Sequence, residues 1–228
     1  LFKENDIPKY FITSMVDITD RKKAERDLVK SQDNLSYLNQ SLSRSININS
    51  LDEIYQSMAD SIHRLYPDSI ALYISLEKEK EDTIVKAMAG LEKTYIEKMQ
   101  RIAGFKVIGK HYKLQEKFKG IFQNGKLRLH KEGFTSFVAG TFSSSIAKSV
   151  QKVLNINKVY TIGINWESEL LGALVIFTTN NSEISEPQFI ENYVTHMAAV
   201  INNKMINSKL LQSEAQYKEL NATKDKFF

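Results

Sequence analysis

Only four side chains in the 228 residues, His63, His111, His130 and His196, have an ordinary pKa suited to general-base work near neutral pH or to metal binding through imidazole. No two of them share a spacing that places a pair of ligands on one helix face. The chain has no cysteine, which excludes a thiolate nucleophile, a disulfide framework, a Cys-ligated zinc or iron–sulfur cluster and a thioether-anchored chromophore. A Ser-His-Asp order, a Walker loop and a dinucleotide glycine fingerprint are all missing. No catalytic residue, metal site or cofactor is therefore assigned. What remains is binding. Residues 105–145 concentrate Phe105, Tyr112, Phe118, Phe122, Phe134, Phe137 and Phe142 beside His111 and His130, ahead of the run Ser143 to Ser145. Such rings can wall a small-molecule site, or they can plug the core of a loosely patterned segment. The candidate ligand contacts are Tyr112, Phe122, His130, Phe134, Phe137, Phe142 and Ser143, for a small, mainly apolar or planar molecule. Haem would need His111 or His130 as its axial ligand. Ser143 serves equally as a helix cap, and His63 and His196 fall on predicted helices as surface or capping groups.

The 31 basic and 27 acidic residues leave a net charge of +4, and the lysines are scattered along the chain. That is a solvated surface rather than a nucleic-acid face. The longest apolar run falls short of the roughly 18 to 20 residues that a bilayer span requires. The amino end lacks the apolar region of a signal peptide. A cytoplasmic setting is expected, with any membrane anchor outside these residues.

The elements that must position the rings centre on Lys158 to Thr179, read as a β-hairpin turning at Asn165 to Glu169. Its first strand alternates Val159, Thr161, Gly163 and Asn165 with Tyr160, Ile162, Ile164 and Trp166, so one face suits a core better than the other. The second strand is apolar enough for cover on both faces. Upstream, Tyr10 to Thr19 reads as a single strand, and Asp20 to about Ser45 as a helix without Gly or Pro. Leu28, Leu35, Leu38 and Leu42 form a heptad-like stripe on that helix. Either a helix pair or a fold back onto the chain's own domain would bury it. Ser50 caps a helix carrying Ile54, Tyr55, Met58 and Ile62, which Pro67 ends. Ser69 to Leu76 and Thr83 to Ala89 form a hairpin with a charged tip. Gly90 and Gly104 bracket an amphipathic helix, Lys126 to His130 is a short strand after the Asn124-Gly125 turn, and Ser143 to Asn155 is a helix. From Ser185 a last helix runs toward the end, broadly apolar through Ile201 and then narrowing to a seam of Leu210, Tyr217 and Leu220.

Three resemblances follow from these residues. The stretch YFITSMVDITDRKKAE, with Asp17, Ile18 and Thr19, resembles the last strand of a PAS domain running into a signalling helix. The order of elements from 47 to 200, above all VYTIGINWESELLGALVIF, resembles a GAF domain. The ending Asn221 to Phe228 resembles the entry to the dimerisation and phosphoacceptor helix of a sensor histidine kinase. The resemblances imply an α+β fold, an antiparallel sheet of about five or six strands flanked by helices, with long N- and C-terminal signalling helices. They divide the chain into 1–19 (end of a PAS domain), 20–46 (linker helix), 47–200 (GAF domain) and 201–228 (helix entering a kinase core). In GAF relatives the region 105–145 walls the ligand pocket. Bilin-binding members depend on a cysteine that is missing. Cyclic-nucleotide-binding members carry an Asn-Lys pair and a Phe-x-x-x-Asp-Glu motif where Asn180-Asn181 and Ile184 to Phe189 stand here.

The function implied is a sensory or signal-relaying segment of a cytoplasmic two-component histidine kinase, not itself an enzyme. Its expected partners are the kinase core in cis, a response regulator and a small-molecule ligand, with no nucleic acid and no membrane in this segment. A parallel homodimer is expected through Leu28, Leu35, Leu38, Leu42, Leu210, Tyr217 and Leu220, because one sheet cannot cover them all. The alternatives are a ligand-free dimerisation spacer, or the regulatory segment of a PAS-GAF protein with another output.

Overall fold

The computed structural model describes residues 2–4, 7–10, 16–77, 82–104, 106–113 and 120–227. Two compact units divide the chain, Leu1–Tyr37 and Leu38–Phe228. In the first, Phe2–Glu4 (β1) pairs antiparallel with Ile7–Tyr10 (β2). Half of the expected strand Tyr10 to Thr19 falls on residues 11–15, outside the described residues, and 16–18 have no regular structure. Helix α1 spans Thr19–Asn47. Asp17 accepts the Thr19 N–H at 2.9 Å, and hydrogen bonds from the Thr19 side chain and backbone hold its carboxyl below the usual range. Leu28 and Leu35 of the apolar stripe are exposed.

In the second unit Ser50 accepts the Glu53 N–H and starts α2 (Leu51–Leu65), whose buried face is Ile54, Tyr55, Met58, Ala59 and Ile62. The residue before Pro67 is biased away from helix, and α2 stops at Leu65. Ser69–Glu77 (β3) and Asp82–Ala89 (β4) form the first hairpin; its charged tip lies outside the described residues. Lys93–Ala103 (α3) ends at Gly104, whose φ of 78° is the left-handed value a helix C-terminus favours in glycine. His111–Lys113 (β5), Arg128–Leu129 (β6), Gly133–Phe137 (α4) and Ser144–Val153 (α5) follow. The strand expected over 126–130 is thus only two residues long, with His130 N–H bonding the Val159 carbonyl just beyond it. Ile156–Trp166 (β7) and Glu169–Thr179 (β8) form the central hairpin, and Pro187–Phe227 (α6) is one continuous helix.

Six strands make one antiparallel sheet in the order β5-β4-β3-β8-β7-β6. Helix α2 lies over β3 and β4 on one face, and α6 lies over β7. Helices α3, α4 and α5 cover the other face, where Leu72, Val85, Phe134, Val150, Val175 and Phe177 share one apolar cluster. Two details of the hairpin differ from expectation. Its turn is only Glu167-Ser168, with Glu167 at a φ of 53°, because Asn165 and Trp166 still pair with β8. In addition, β7 is buried on both faces from Val159 to Ile164, since His130 lies against Thr161 and Phe122 against Gly163. Gly163 permits this: a Cβ there would sit 1.7 Å from the Phe122 carbonyl oxygen.

The last turns of α1 are not at a free seam. Leu38 is 4% exposed and Ser45 fully buried within their own chain. The small Ser41 allows close approach: its hydroxyl lies 2.6 Å from that of Ser61 on α2 and 3.0 Å from that of Tyr193 on α6. The expectation that Leu38 faces a partner chain is corrected accordingly, and Leu42 is half-buried.

Candidate functional site

Between the sheet and its α3, α4 and α5 cover lies a cavity of about 150 Å³. Its floor is built by alternation, since successive strand residues point to opposite faces. Strand β3 contributes Ile70, Leu72 and Ile74, and β8 contributes Val175 and Phe177. A register shift opposite Tyr73 and Ile74 lets β4 present both Val85 and Met88, three positions apart, to the same space. The walls are Met99 of α3, Phe122, Phe134 and Phe137 of α4, and Val150 of α5. A chain that only needed a filled core would gain apolar burial by closing this space.

Of the residues singled out from the sequence, Tyr112, Phe122, Phe134, Phe137 and Phe142 line the cavity. Phe105 and Phe118 lie outside the described residues. Phe134 and Phe137 each meet Phe177 edge to face, with ring centroids 5.3 and 6.2 Å apart. His130 and Ser143 do not line it. The His130 ring sits behind the wall, 4.9 Å from Phe137, and its Nε2 lies 2.8 Å from the hydroxyl of the buried Thr161. Ser143 is exposed and accepts the Ile146 N–H, so it caps α5. Nearness in sequence to a ring cannot reveal which side of the ring a residue takes, and that is why both were misplaced.

The other histidines are elsewhere. His63 Nδ1 lies 2.8 Å from the Ser69 carbonyl, His111 is exposed on β5 and His196 is exposed on α6. With neither His111 nor His130 on the cavity and so little space, the residues do not fit haem. Among the described residues no cluster of His, Asp or Glu is placed to hold a metal ion.

The cavity is almost wholly apolar. Among the described residues its polar lining is Thr83, Tyr112, Lys113 and Thr141. The Thr83 hydroxyl donates to the Tyr112 carbonyl at 3.0 Å, joining β4 to β5. Burial pushes the Tyr112 phenol up to about 12. Lys113 is exposed, so the space reaches the surface along β5.

The wall also connects to α6. Asn165 Nδ2 donates to the Phe122 carbonyl at 2.7 Å, fixing the 120–122 turn against β7. A few residues on, the Leu127 N–H and the Lys126 ammonium donate to the two carboxylate oxygens of Glu191, at 3.0 and 2.8 Å. Burial pushes the Glu191 carboxyl up, and these hydrogen bonds outweigh it and leave it below the usual range. One segment therefore presents Phe122 to the cavity and grips α6 near its start. Sequence reasoning named neither Asn165 nor Glu191 for this, since their partners lie 43 and 64 positions away.

No helix among the described residues is long and apolar enough to cross a membrane. No protein-family model matches the chain, and no curated protein matches it. Solved structures do. The phycoerythrobilin-bound GAF domain of a cyanobacterial phytochrome superposes with a TM-score of 0.55 at 12% identity, over 77% of this chain and 97% of that one. The GAF domain of a phosphoenolpyruvate-protein phosphotransferase from Coxiella burnetii gives 0.55 at 16% identity, over 77% and 96%. Residues 122 to 287 of a methyl-accepting chemotaxis protein give 0.53 at 11% identity, over 75% and 99%. At such identities the likeness speaks to the fold, which is GAF-like.

Proposed function

We propose that this GAF-like chain is the sensory or relaying segment of a cytoplasmic two-component sensor histidine kinase. It follows the end of a PAS domain and passes a change in its cavity, or in the upstream domain, to a kinase core through α6. It works as a parallel homodimer and carries no catalysis of its own. The observation that carries this reading is α6. Its first half is packed on the sheet and held at Glu191 by the segment that walls the cavity, while Leu210, Tyr217 and Leu220 in its second half are exposed and apolar. A shift of the wall thus has a mechanical route to a helix whose far half is available to a second copy. The phrases around Asp17 to Thr19 and Asn221 to Phe228 supply the PAS and kinase context. An open apolar space, where rings could have filled the core, favours a ligand-holding module over an inert spacer.

Phosphate transfer tests the reading. The chain extended by its natural continuation, incubated with labelled ATP, should acquire acid-labile phosphate on a histidine beyond Phe228, while residues 1–228 alone acquire none. Stoichiometric label on residues 1–228, or no label on the extended chain, would overturn it.

A further inference from the structure

We propose that the cavity takes a neutral, largely apolar molecule of single-ring size, of the toluene or small-phenol class. Volume sets the upper limit. An apolar space of about 150 Å³ matches a molecule the size of benzene. A tetrapyrrole, a nucleotide or a fused polycycle exceeds that volume. Charge sets the second limit. Among the described residues the one ammonium on the lining, Lys113, is exposed, and the deep walls are Leu72, Val85, Val150, Leu154, Val175 and Phe177. An ionised ligand would surrender its hydration there without a buried counter-charge.

Shape sets the third. Phe134 and Phe137 are already arranged edge to face around Phe177, an arrangement that a further flat ring can extend. Met88 and Met99 on the wall are the deformable side chains that tolerate small differences between such rings. The polar groups, Thr83, Tyr112 and Thr141, sit on a lining that is otherwise aliphatic and aromatic. A single hydroxyl on the ligand is accommodated beside them; a carboxylate is not. The binding stands on the cavity alone, while its meaning as a signal rests on the sensory reading above.

The probes are toluene, benzoate and naphthalene, added to residues 1–228 and followed by methyl NMR and thermal unfolding. Saturated aqueous toluene should raise Tm by several degrees, as a ligand of the native state does, and shift the methyls of Leu72, Val85 and Val175. Benzoate and naphthalene should do neither. Val175→Phe, which places a ring in the space, should weaken toluene binding at least tenfold with an unchanged circular dichroism spectrum; Val85→Phe serves if that variant does not fold. Absence of the toluene shifts in the unsubstituted chain, equal binding of benzoate, or undiminished toluene binding by a folded ring-filled variant would overturn the proposal. If neither variant folds, the toluene and benzoate shifts of the unsubstituted chain decide. Phosphorylation of the extended chain without toluene binding would remove this ligand class and leave the kinase reading intact; toluene binding without phosphorylation would do the reverse.

Discussion

At the level of single residues, Tyr112 offers the most direct readout of the cavity wall. Its phenol is pushed up to about 12 by burial, against an unfolded value near 10. The folded state therefore holds the proton more tightly than the unfolded one. The stability this contributes is fully present below about pH 10 and is lost as the pH rises toward 12. An absorbance titration should show a phenolate that appears only above about pH 11 and is missing from Tyr112→Phe; a titration near 10 would place that ring in open solvent. The five rings that line the cavity were legible because aromatic density in a weakly patterned segment has few other uses. The aliphatic floor, Leu72, Val85 and Val175, was present in the strand alternation but carries no mark separating cavity from core. Both environments ask for the same residue types.

At the level of elements, the three helices α1, α2 and α6 meet at the hydroxyls of Ser41, Ser61 and Tyr193. All three residues are buried, so removing one partner leaves the others short of a hydrogen bond at about 1 to 3 kcal/mol. Ser41→Ala and Tyr193→Phe should each destabilise the chain by that order in urea unfolding. The double variant should cost less than the sum, because both remove the same contact. Strict additivity would mean that the contact is not formed in solution. The helices themselves were plain in the sequence from caps and periodicity, Ser50 and Ser143 above all. A serine such as Ser45 on an apolar helix face looks the same in sequence whether it weakens a seam between chains or sits buried at a close helix contact. The difference lies in partners on α2 and α6, which spacing along one helix does not report.

For the molecule as a whole, the exposed Leu28, Leu35, Leu210, Tyr217 and Leu220 are the surfaces a dimer would cover. Leu210→Asp with Leu220→Asp should leave the sheet folded and shift the chain from dimer toward monomer in light scattering. An unchanged mass, or a monomeric parent chain at high concentration, would remove these helices from assembly. The fold was readable because its hairpins are local and strongly patterned, and the order of elements was enough to suggest the architecture. The grip of residues 126–127 on Glu191 was not, being a single long-range contact between ordinary surface residue types.

The position of β8 between β3 and β7 also governs how this chain comes into being. The β7–β8 hairpin is closed by a two-residue turn and can form by itself, but the Ile70–Phe177 pairing spans roughly a hundred positions and must wait for a large loop to close. During synthesis the first hairpin, with its apolar strands, is therefore made long before the strand that shields its inner edge leaves the ribosome. The run that joins those strands in the sequence, Glu77 to Asp82, is charged at every position, a composition that discourages pairing with a neighbouring nascent chain.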